Sequence, residues 1–193
     1  MVALGGRLAR VRLPLRTDRL VLRLHRAADA PILAQIVNDH RVLRGLAIPP
    51  GPYSISEELR FVRNNRRAAL KGESLPLAVT LGTNGKLIGV VSLGLHDGAR
   101  DVGGLGYWLA PQYWHHGYGT EAVAALCRVA FETLRLHHLQ ASVFDSNTRS
   151  MALLRRLGFK TEGHRREVRR HGSRWEGEAI FGLLRHEFRR PKT

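Results

Sequence analysis

From Arg19 to Leu24 the chain alternates, with Leu20, Leu22 and Leu24 on one side and Arg19, Val21 and Arg23 on the other. A period of two sends one set toward a core and the other toward solvent, so a half-buried strand is predicted. The period lengthens after Asp29. Ile32, Leu33, Ile36 and Val37 share one stripe of a helix, with Asp29 as the expected N-cap and Pro31 in its first turn. Gly45, Pro49, Pro50, Gly51 and Pro52 make residues 45–53 a loop. Ser54 and Glu57 have the spacing of a capping box, opening a helix to about Leu70 with Gly72 beyond its end. Strands are predicted over 76–81 and 87–95. Thr83-Asn84-Gly85-Lys86 joins them, and Asn-Gly between apolar runs is a strong hairpin signal.

A polar loop from His96 to Asp101 leads to a strand over 102–109, which Pro111 stops because it has no N–H to donate. The next helix carries Val123, Leu126, Ala130 and Leu134 near one face. A short strand over 139–144 follows. A helix then opens at Asn147 and runs through Met151, Leu153, Leu154 and Leu157 to Gly158. Closing strands over 159–168 and 175–184 flank an Arg-His-Gly turn at Arg170–Gly172. This order implies an α/β (α+β) chain with a mixed, mostly antiparallel sheet of about seven strands and about four helices. One domain over 15–189 is expected. Residues 1–14 form a basic tail or extra edge segment, and 190–193 a C-terminal tail, within a basic end from Arg185 that is expected to fray.

Composition narrows the classes. The chain has 193 residues and 44% hydrophobic content, enough for a real core in one domain. No apolar run approaches the roughly 18 residues of a membrane span. Arg7, Arg10, Arg12 and Arg16 interrupt what would be a signal peptide's apolar region, so a cytoplasmic location is the default. The lone Cys127 falls in a predicted helix and reads as a buried, inert thiol. The net charge of +15 is almost wholly arginine, since the lysines are Lys71, Lys86, Lys160 and Lys192. Such charge invites an RNA or ribosome reading. The arginines are spread, however, and no block of five or six like charges occurs, so a solvated arginine-rich surface is the plainer reading.

The chemistry concentrates between Gly106 and Ala125. A glycine-bracketed turn, Gly117-Tyr118-Gly119, opens a helix at Thr120. Unpaired N–H groups at such a start suit a phosphate. By itself such a pair is as often a plain turn. Gly117-x-Gly119-x-x-Ala122 also comes too late in the chain for a dinucleotide fold, which wants this pattern after its first strand. Trp114-His115-His116-Gly117-Tyr118-Gly119 followed by Thr120-Glu121-Ala122 resembles the acetyl-CoA pyrophosphate loop of the GNAT N-acetyltransferases. The aromatic form, with Tyr113 ahead, is similar to the RimJ/RimL branch. Leu15-Arg16-Thr17-Asp18-Arg19-Leu20-Val21-Leu22-Arg23 resembles that branch's opening. Asn147-x-x-Ser150-x-x-Leu153-Leu154-x-x-Leu157-Gly158-Phe159 is a second ordered match at the expected distance.

The resemblance implies a GNAT fold in which two parallel strands splay near Leu109 and Phe144 and the pantetheine arm lies between them. Tyr107, Trp108 and Leu109 are then expected to bond the arm as an added strand would. Residues 115–120 (His115, His116, Gly117, Tyr118, Gly119, Thr120), with Trp114 ahead, are expected to hold the pyrophosphate. The oxyanion donor is expected near the Leu109 N–H. Ser150 matches the position that protonates the leaving thiolate, and Asn147 is expected to bond the pantetheine amide or an ordered water. Their other reading is an N-cap with a first-turn serine, and both can hold. For the general base, the Asp common in this branch falls at Gly177. Glu176 and Glu178 flank it; Glu178 is favoured, against a surface charge or a water chain. Acceptor choice is expected in residues 38–60.

The resemblance implies transfer of acetyl from acetyl-CoA to a primary amine, first a protein N-terminus such as a ribosomal protein's. The alternatives are a small amine (amino acid, polyamine, aminoglycoside), a longer acyl group, or a non-catalytic RNA- or ribosome-binding module on this scaffold. Family habit implies a homodimer. The pairs His115-His116 and His137-His138 lack the partners of a metal site, so no metal is expected. No P-loop pattern is present.

Overall fold

Eight strands form one sheet in the order β1-β2-β3-β4-β5-β6-β8-β7. They are β1 (Leu15–Arg16), β2 (Leu20–Leu24), β3 (Ser74–Leu81), β4 (Leu87–Leu95), β5 (Val102–Leu109), β6 (His138–Phe144), β7 (Lys160–His171) and β8 (Arg174–Leu184). Among the described residues, five α-helices accompany the sheet: α1 (Ala30–Val37), α2 (His40–Leu43), α3 (Ile55–Lys71), α4 (Tyr118–Arg128) and α5 (Thr148–Arg156). The computed structural model describes residues 4–49, 51–95, 101–171 and 174–189. The expected turn at Arg170–Gly172 lies partly outside the described residues. Most of the expected loop from His96 to Asp101, and the expected tail 190–193, also lie outside them.

Every neighbouring pair is antiparallel except β5 with β6. The two faces of the sheet carry different helices. Leu75, Leu77, Val79, Val91 and Leu93 point into the larger core, where α4 supplies Val123 and Leu126. Ala78, Leu87 and Val90 point the other way, onto Leu33 of α1 and Val62 of α3. Buried on both faces, β3 reads as a near-continuous apolar run rather than an alternating one.

Local signals act where expected. Ser54 Oγ accepts from the Glu57 N–H while Glu57 reaches back to the Ser54 N–H, and Gly72 ends α3 with φ 81°. Gly85, at φ 71°, makes the hairpin turn between β3 and β4.

Several expectations are corrected. The sheet has an eighth strand, because Leu15 and Arg16 pair with Leu22 and Val21. A fifth, short helix, α2, precedes the proline-rich loop, and its N-cap is Asp39, which accepts from the Arg41 N–H. α4 ends at Arg128 and continues as a wider π turn over Val129–Thr133, with the Leu134 N–H bonded to the Val129 carbonyl. Residues 4–13 are not a loose tail: Leu4, Leu8 and Val11 sit in the main core around a 3-10 turn at Gly6–Arg10. Asp29 stands at the N-cap position of α1 but does not cap it; its carboxylate takes a two-pronged bond from Arg23 and the N–H of Arg26.

Among the described residues, no helix is long and apolar enough to cross a membrane. Among the same residues, no three His, Cys, Asp or Glu side chains are grouped as a metal site would need.

Candidate active site

The parallel pairing of β5 and β6 runs from Val102–His138 to Gly104–Gln140 and stops there. Beyond it the two strands part, β5 continuing to Leu109 and β6 to Phe144. The Ala110 N–H bonds the Ile88 carbonyl at 2.8 Å, which sets the phase of the β4–β5 ladder. Bonded and unbonded positions alternate along an antiparallel pair. Gly106 and Trp108 therefore spend their backbone groups on β4, while Leu105, Tyr107 and Leu109 turn theirs into the gap. The Leu109 carbonyl is taken by the Trp114 indole N–H at 2.8 Å. The Leu109 N–H and both groups of Tyr107 remain for a third strand-like occupant. Of residues 107–109, Tyr107 and Leu109 thus turn backbone groups into the gap, and the Trp108 backbone faces the other way.

At the top of the gap the chain turns into α4. His115 (φ 64°) and Gly117 (φ 79°) both take left-handed conformations, a geometry that converges successive N–H groups, and Gly117 is the N-cap of the helix. The two glycines serve different ends. Gly117 supplies the positive φ. Gly119 allows close approach, since a Cβ there would meet Leu153 of α5 at 3.0 Å.

Polar contacts from the start of the chain brace this turn. Glu121, in the first turn of α4, accepts from the Thr17 hydroxyl (2.6 Å), the Arg19 N–H (2.9 Å) and Arg19 Nε (2.7 Å). Burial pushes the Glu121 carboxyl up, but these bonds outweigh it and hold its pKa below the usual value. Arg19 Nη1 donates to the His116 carbonyl at 2.8 Å, and the guanidinium lies over the Tyr118 ring. A fixed positive charge thus stands behind the N–H groups. Thr17, Arg19 and Glu121 were not singled out from the sequence as site residues. Pairs about a hundred positions apart leave no local pattern, and the resemblance of the opening phrase was the one available signal.

A cleft of ≈ 730 Å³ follows the gap. Tyr107, Trp108, Leu109, Trp114, His115, Gly117, Gly119, Thr120, Asn147 and Ser150 line it. His116 and Tyr118 do not; they stack on each other at 5.8 Å outside it, and His116 Nδ1 lies 2.6 Å from the Trp114 carbonyl. Arg149 of α5 packs 3.6 Å over the Trp114 ring and adds positive charge to the lining.

On the far side of the gap lies a second cleft of ≈ 390 Å³, sharing Gly45, Leu46, Tyr107, Asn147 and Ser150 with the first. Glu178 lines only this one, buried and ion-paired with Arg165. Glu176 is committed elsewhere, to Arg169 and the Ser146 N–H. At the junction the Tyr107 and Ser150 hydroxyls are 2.7 Å apart. Burial pushes the Tyr107 phenol up to about 12, so it stays protonated at neutral pH. The Asn147 side chain accepts from the Ser150 N–H, so the N-cap reading of that pair holds. Burial also raises the Cys127 thiol to about 12, as suits an inert core cysteine.

Comparison with known proteins adds the family. Residues 19–160 match the model of the acetyltransferase (GNAT) domain. An uncharacterized N-acetyltransferase, p20, of Bacillus licheniformis is 28% identical over 172 residues, covering 89% of this chain and 96% of its own. The [ribosomal protein uS5]-alanine N-acetyltransferase of Escherichia coli is 30% identical over 79 residues, 41% of each chain. The structure of Mycobacterium smegmatis RimJ in complex with CoA-disulfide superposes with a TM-score of 0.79 at 24% identity, over 90% of this chain and 85% of that one, a likeness of fold.

Proposed function

The chain belongs to the GNAT acetyltransferases and is an acetyl-CoA-dependent acyltransferase, and from that premise we propose that its acceptor is the N-terminal amine of a protein. The observation that carries this reading is the pair of clefts meeting at Tyr107, Asn147 and Ser150. One leads from the basic, N–H-rich start of α4, where a diphosphate fits. The other carries a single acidic side chain, Glu178, in a strongly basic protein, where an amine fits. The E. coli relative's alanine acceptor supports the choice of a protein N-terminus.

In this reading the pyrophosphate sits on the N–H groups of 115–120, with Arg19 behind them. The pantetheine arm pairs with Tyr107 and the Leu109 N–H. The neutral amine attacks the thioester carbonyl carbon, the C–N bond forms and the C–S bond breaks. The Leu109 N–H stabilises the developing oxyanion. The amine's proton passes to Glu178, directly or through water, and the thiolate takes a proton from the Ser150–Tyr107 hydroxyl pair. Glu176 is held by Arg169 and Ser146 and lines neither cleft, whereas Glu178, paired with Arg165, lines the second, so Glu178 is the better placed of the two. The work would take place in the cytoplasm.

Titration calorimetry with acetyl-CoA, beside Gly117→Trp and Gly119→Trp, tests the donor site, and a peptide screen tests the acceptor. One-to-one binding lost in both variants, with acetylation of free peptide N-termini, is the expected result. Folded protein that binds no acetyl-CoA would defeat the assignment of the loop. Acetylation of a polyamine or aminoglycoside in place of peptides would move the acceptor to small amines.

One observation favours a polyanionic partner beside this activity. Arg60, Arg63, Arg67 and Lys71 fall on one stripe of α3, about 16 Å long at 1.5 Å per residue. The three arginines are exposed and, among the described residues, form no ion pair. RNA phosphates suit such a row. RNA affinity that falls with salt, and falls further in Arg60→Glu/Arg67→Glu, is the expected sign.

A further inference from the structure

The second cleft is roofed by residues 44–47, between α2 and the loop into α3; Gly45, Leu46 and Ala47 line it, and Arg44, Gly45 and Leu46 reach the edge of the first cleft. Their own N–H bonds are local, Gly45 to the Val42 carbonyl and Leu46 to the Leu43 carbonyl. Among the described residues, the hydrogen bonds that tie this roof to the sheet come from one side chain. Arg169, on β7 opposite Glu176 of β8, donates through Nη1 to the Leu46 carbonyl (2.8 Å) and through Nη2 to the Arg44 carbonyl (2.6 Å). Nη2 also meets Glu176 Oε2 at 2.8 Å, and Glu176 Oε1 accepts from the Ser146 N–H at 2.9 Å. The guanidinium lies 3.5 Å over the ring of Phe144, which lines the same cleft. One half-buried ion pair therefore joins the roof, the β7–β8 hairpin and the turn between β6 and α5.

The arrangement is costly in itself. Arg169 is 17% exposed, and its Nε is buried without a partner. A desolvated guanidinium is tolerated when its other bonds are firm, and here two of them end on backbone carbonyls of the roof. A planar fork can serve three acceptors while stacking on a ring; a lysine ammonium cannot. The roof in turn lies against the junction, for a Cβ at Gly45 would stand 3.0 Å from Asn147 Nδ2.

We propose that Arg169 is a positioning residue that latches residues 44–47 over the amine cleft and so selects the acceptor. This rests on the second cleft being the amine's entrance. With the roof latched, Leu46, Tyr107 and Phe144 narrow the space beside Gly106 and Ala141, with Glu178 as its one acidic side chain. It takes an N-terminal amine on a small first residue, alanine, serine or glycine, and refuses an aromatic one.

The test compares wild type with Arg169→Met, Arg169→Lys and the milder Glu176→Gln, each checked for an intact melting transition. Hydrogen exchange at 44–48, acetyl-CoA affinity, acetyl-CoA hydrolysis without acceptor, and acetylation of peptides beginning with Ala or Phe are measured. Arg169→Met is expected to speed exchange at 44–48 by about tenfold or more, as local opening does. Its background hydrolysis of acetyl-CoA rises, and since Arg44, Gly45 and Leu46 also line the first cleft, its acetyl-CoA affinity changes less than its KM for the Ala peptide. KM for the Ala peptide rises far more than kcat falls, and the Ala-over-Phe preference narrows. Arg169→Lys recovers part of each effect, and Glu176→Gln shows the same changes at smaller size. Unchanged exchange at 44–48, or an unchanged Ala-over-Phe ratio, overturns the latch. If wild type acetylates neither peptide, the N-terminal acceptor reading falls by itself. Exchange and hydrolysis then decide the latch, and no change in either overturns it.

Discussion

At the scale of single residues, two groups carry opposite burdens. His25 is 1% exposed, edge-on to Phe61, and neither ring nitrogen has a partner. Burial lowers its pKa from 6.5 to about 4, against the pull of Asp29 and with a smaller push from Arg23. The folded state therefore holds the ring neutral while the unfolded chain protonates it near 6.5. Its contribution is fully present above pH 6.5 and is lost as pH falls through about 4, at most about 3 kcal/mol. Urea unfolding at pH 7.5 and 4.5 is expected to show a smaller loss for His25→Phe than for wild type; equal losses would place the acid sensitivity elsewhere. Ser150 works in the catalytic direction. Burial pushes its neighbour Tyr107 up to about 12, so the pair stays protonated throughout the neutral range and a proton is there for the departing thiolate. Ser150→Ala is expected to lower kcat by roughly a hundredfold, a typical size for one acid–base group, with little change in KM for acetyl-CoA. Turnover like that of wild type would remove the serine from the chemistry.

At the scale of elements, the site depends on how α4 begins. Glu121 is 16% exposed and takes three bonds from Thr17 and Arg19, so Glu121→Gln replaces one acceptor oxygen with a donor in a place built for acceptors. A loss of about 1–3 kcal/mol is expected for a buried group left mismatched. It should appear first as weaker acetyl-CoA binding in calorimetry, because the loop moves with the helix; unaltered affinity would show that the loop stands without this brace. The same network shows what was legible in the sequence. Ser54 with Glu57, Gly72, and Asn84 with Gly85 act within a few residues, so their chemistry could be read from spacing. Gly117 and Asn147 were legible in the same way. The bonds of Arg19 to Glu121 and Arg169 to Leu46 join residues about a hundred or more positions apart, and nothing local marks them. Asp29 misled because a nearby guanidinium offered a charge-assisted fork, stronger than a cap bond. Leu4, Leu8 and Val11 keep helical spacing, but the arginines between them hid a segment that packs on the core.

At the scale of the whole molecule, the charge of +15 makes two kinds of stabilisation easy to confuse. Self-repulsion in so basic a chain is relieved by any salt, and multivalent anions collect on it without a built site. Coenzyme A is itself a polyanion, so a melting shift in low salt would not by itself distinguish the cleft from the surface. Raising sodium chloride to about 0.5 M shortens the screening length to a few ångströms and removes the diffuse contribution. The contacts expected in the cleft are of another kind: N–H groups at the start of α4, strand-like bonds to Tyr107 and Leu109, and a pantetheine arm shielded from solvent. Binding there at a hundred times Kd adds about 2.7 kcal/mol. For a chain of this size that is a rise in Tm of roughly 5–10 °C. In 0.5 M salt acetyl-CoA is therefore expected to keep most of its effect, while inorganic pyrophosphate and RNA lose theirs. Gly119→Trp, which drives a ring between α4 and Leu153, is expected to abolish the acetyl-CoA shift but not the general gain from salt. A shift that vanished with salt in wild type and variant alike would mean that the charge of the surface, and not the geometry of the splayed strands, was holding the ligand.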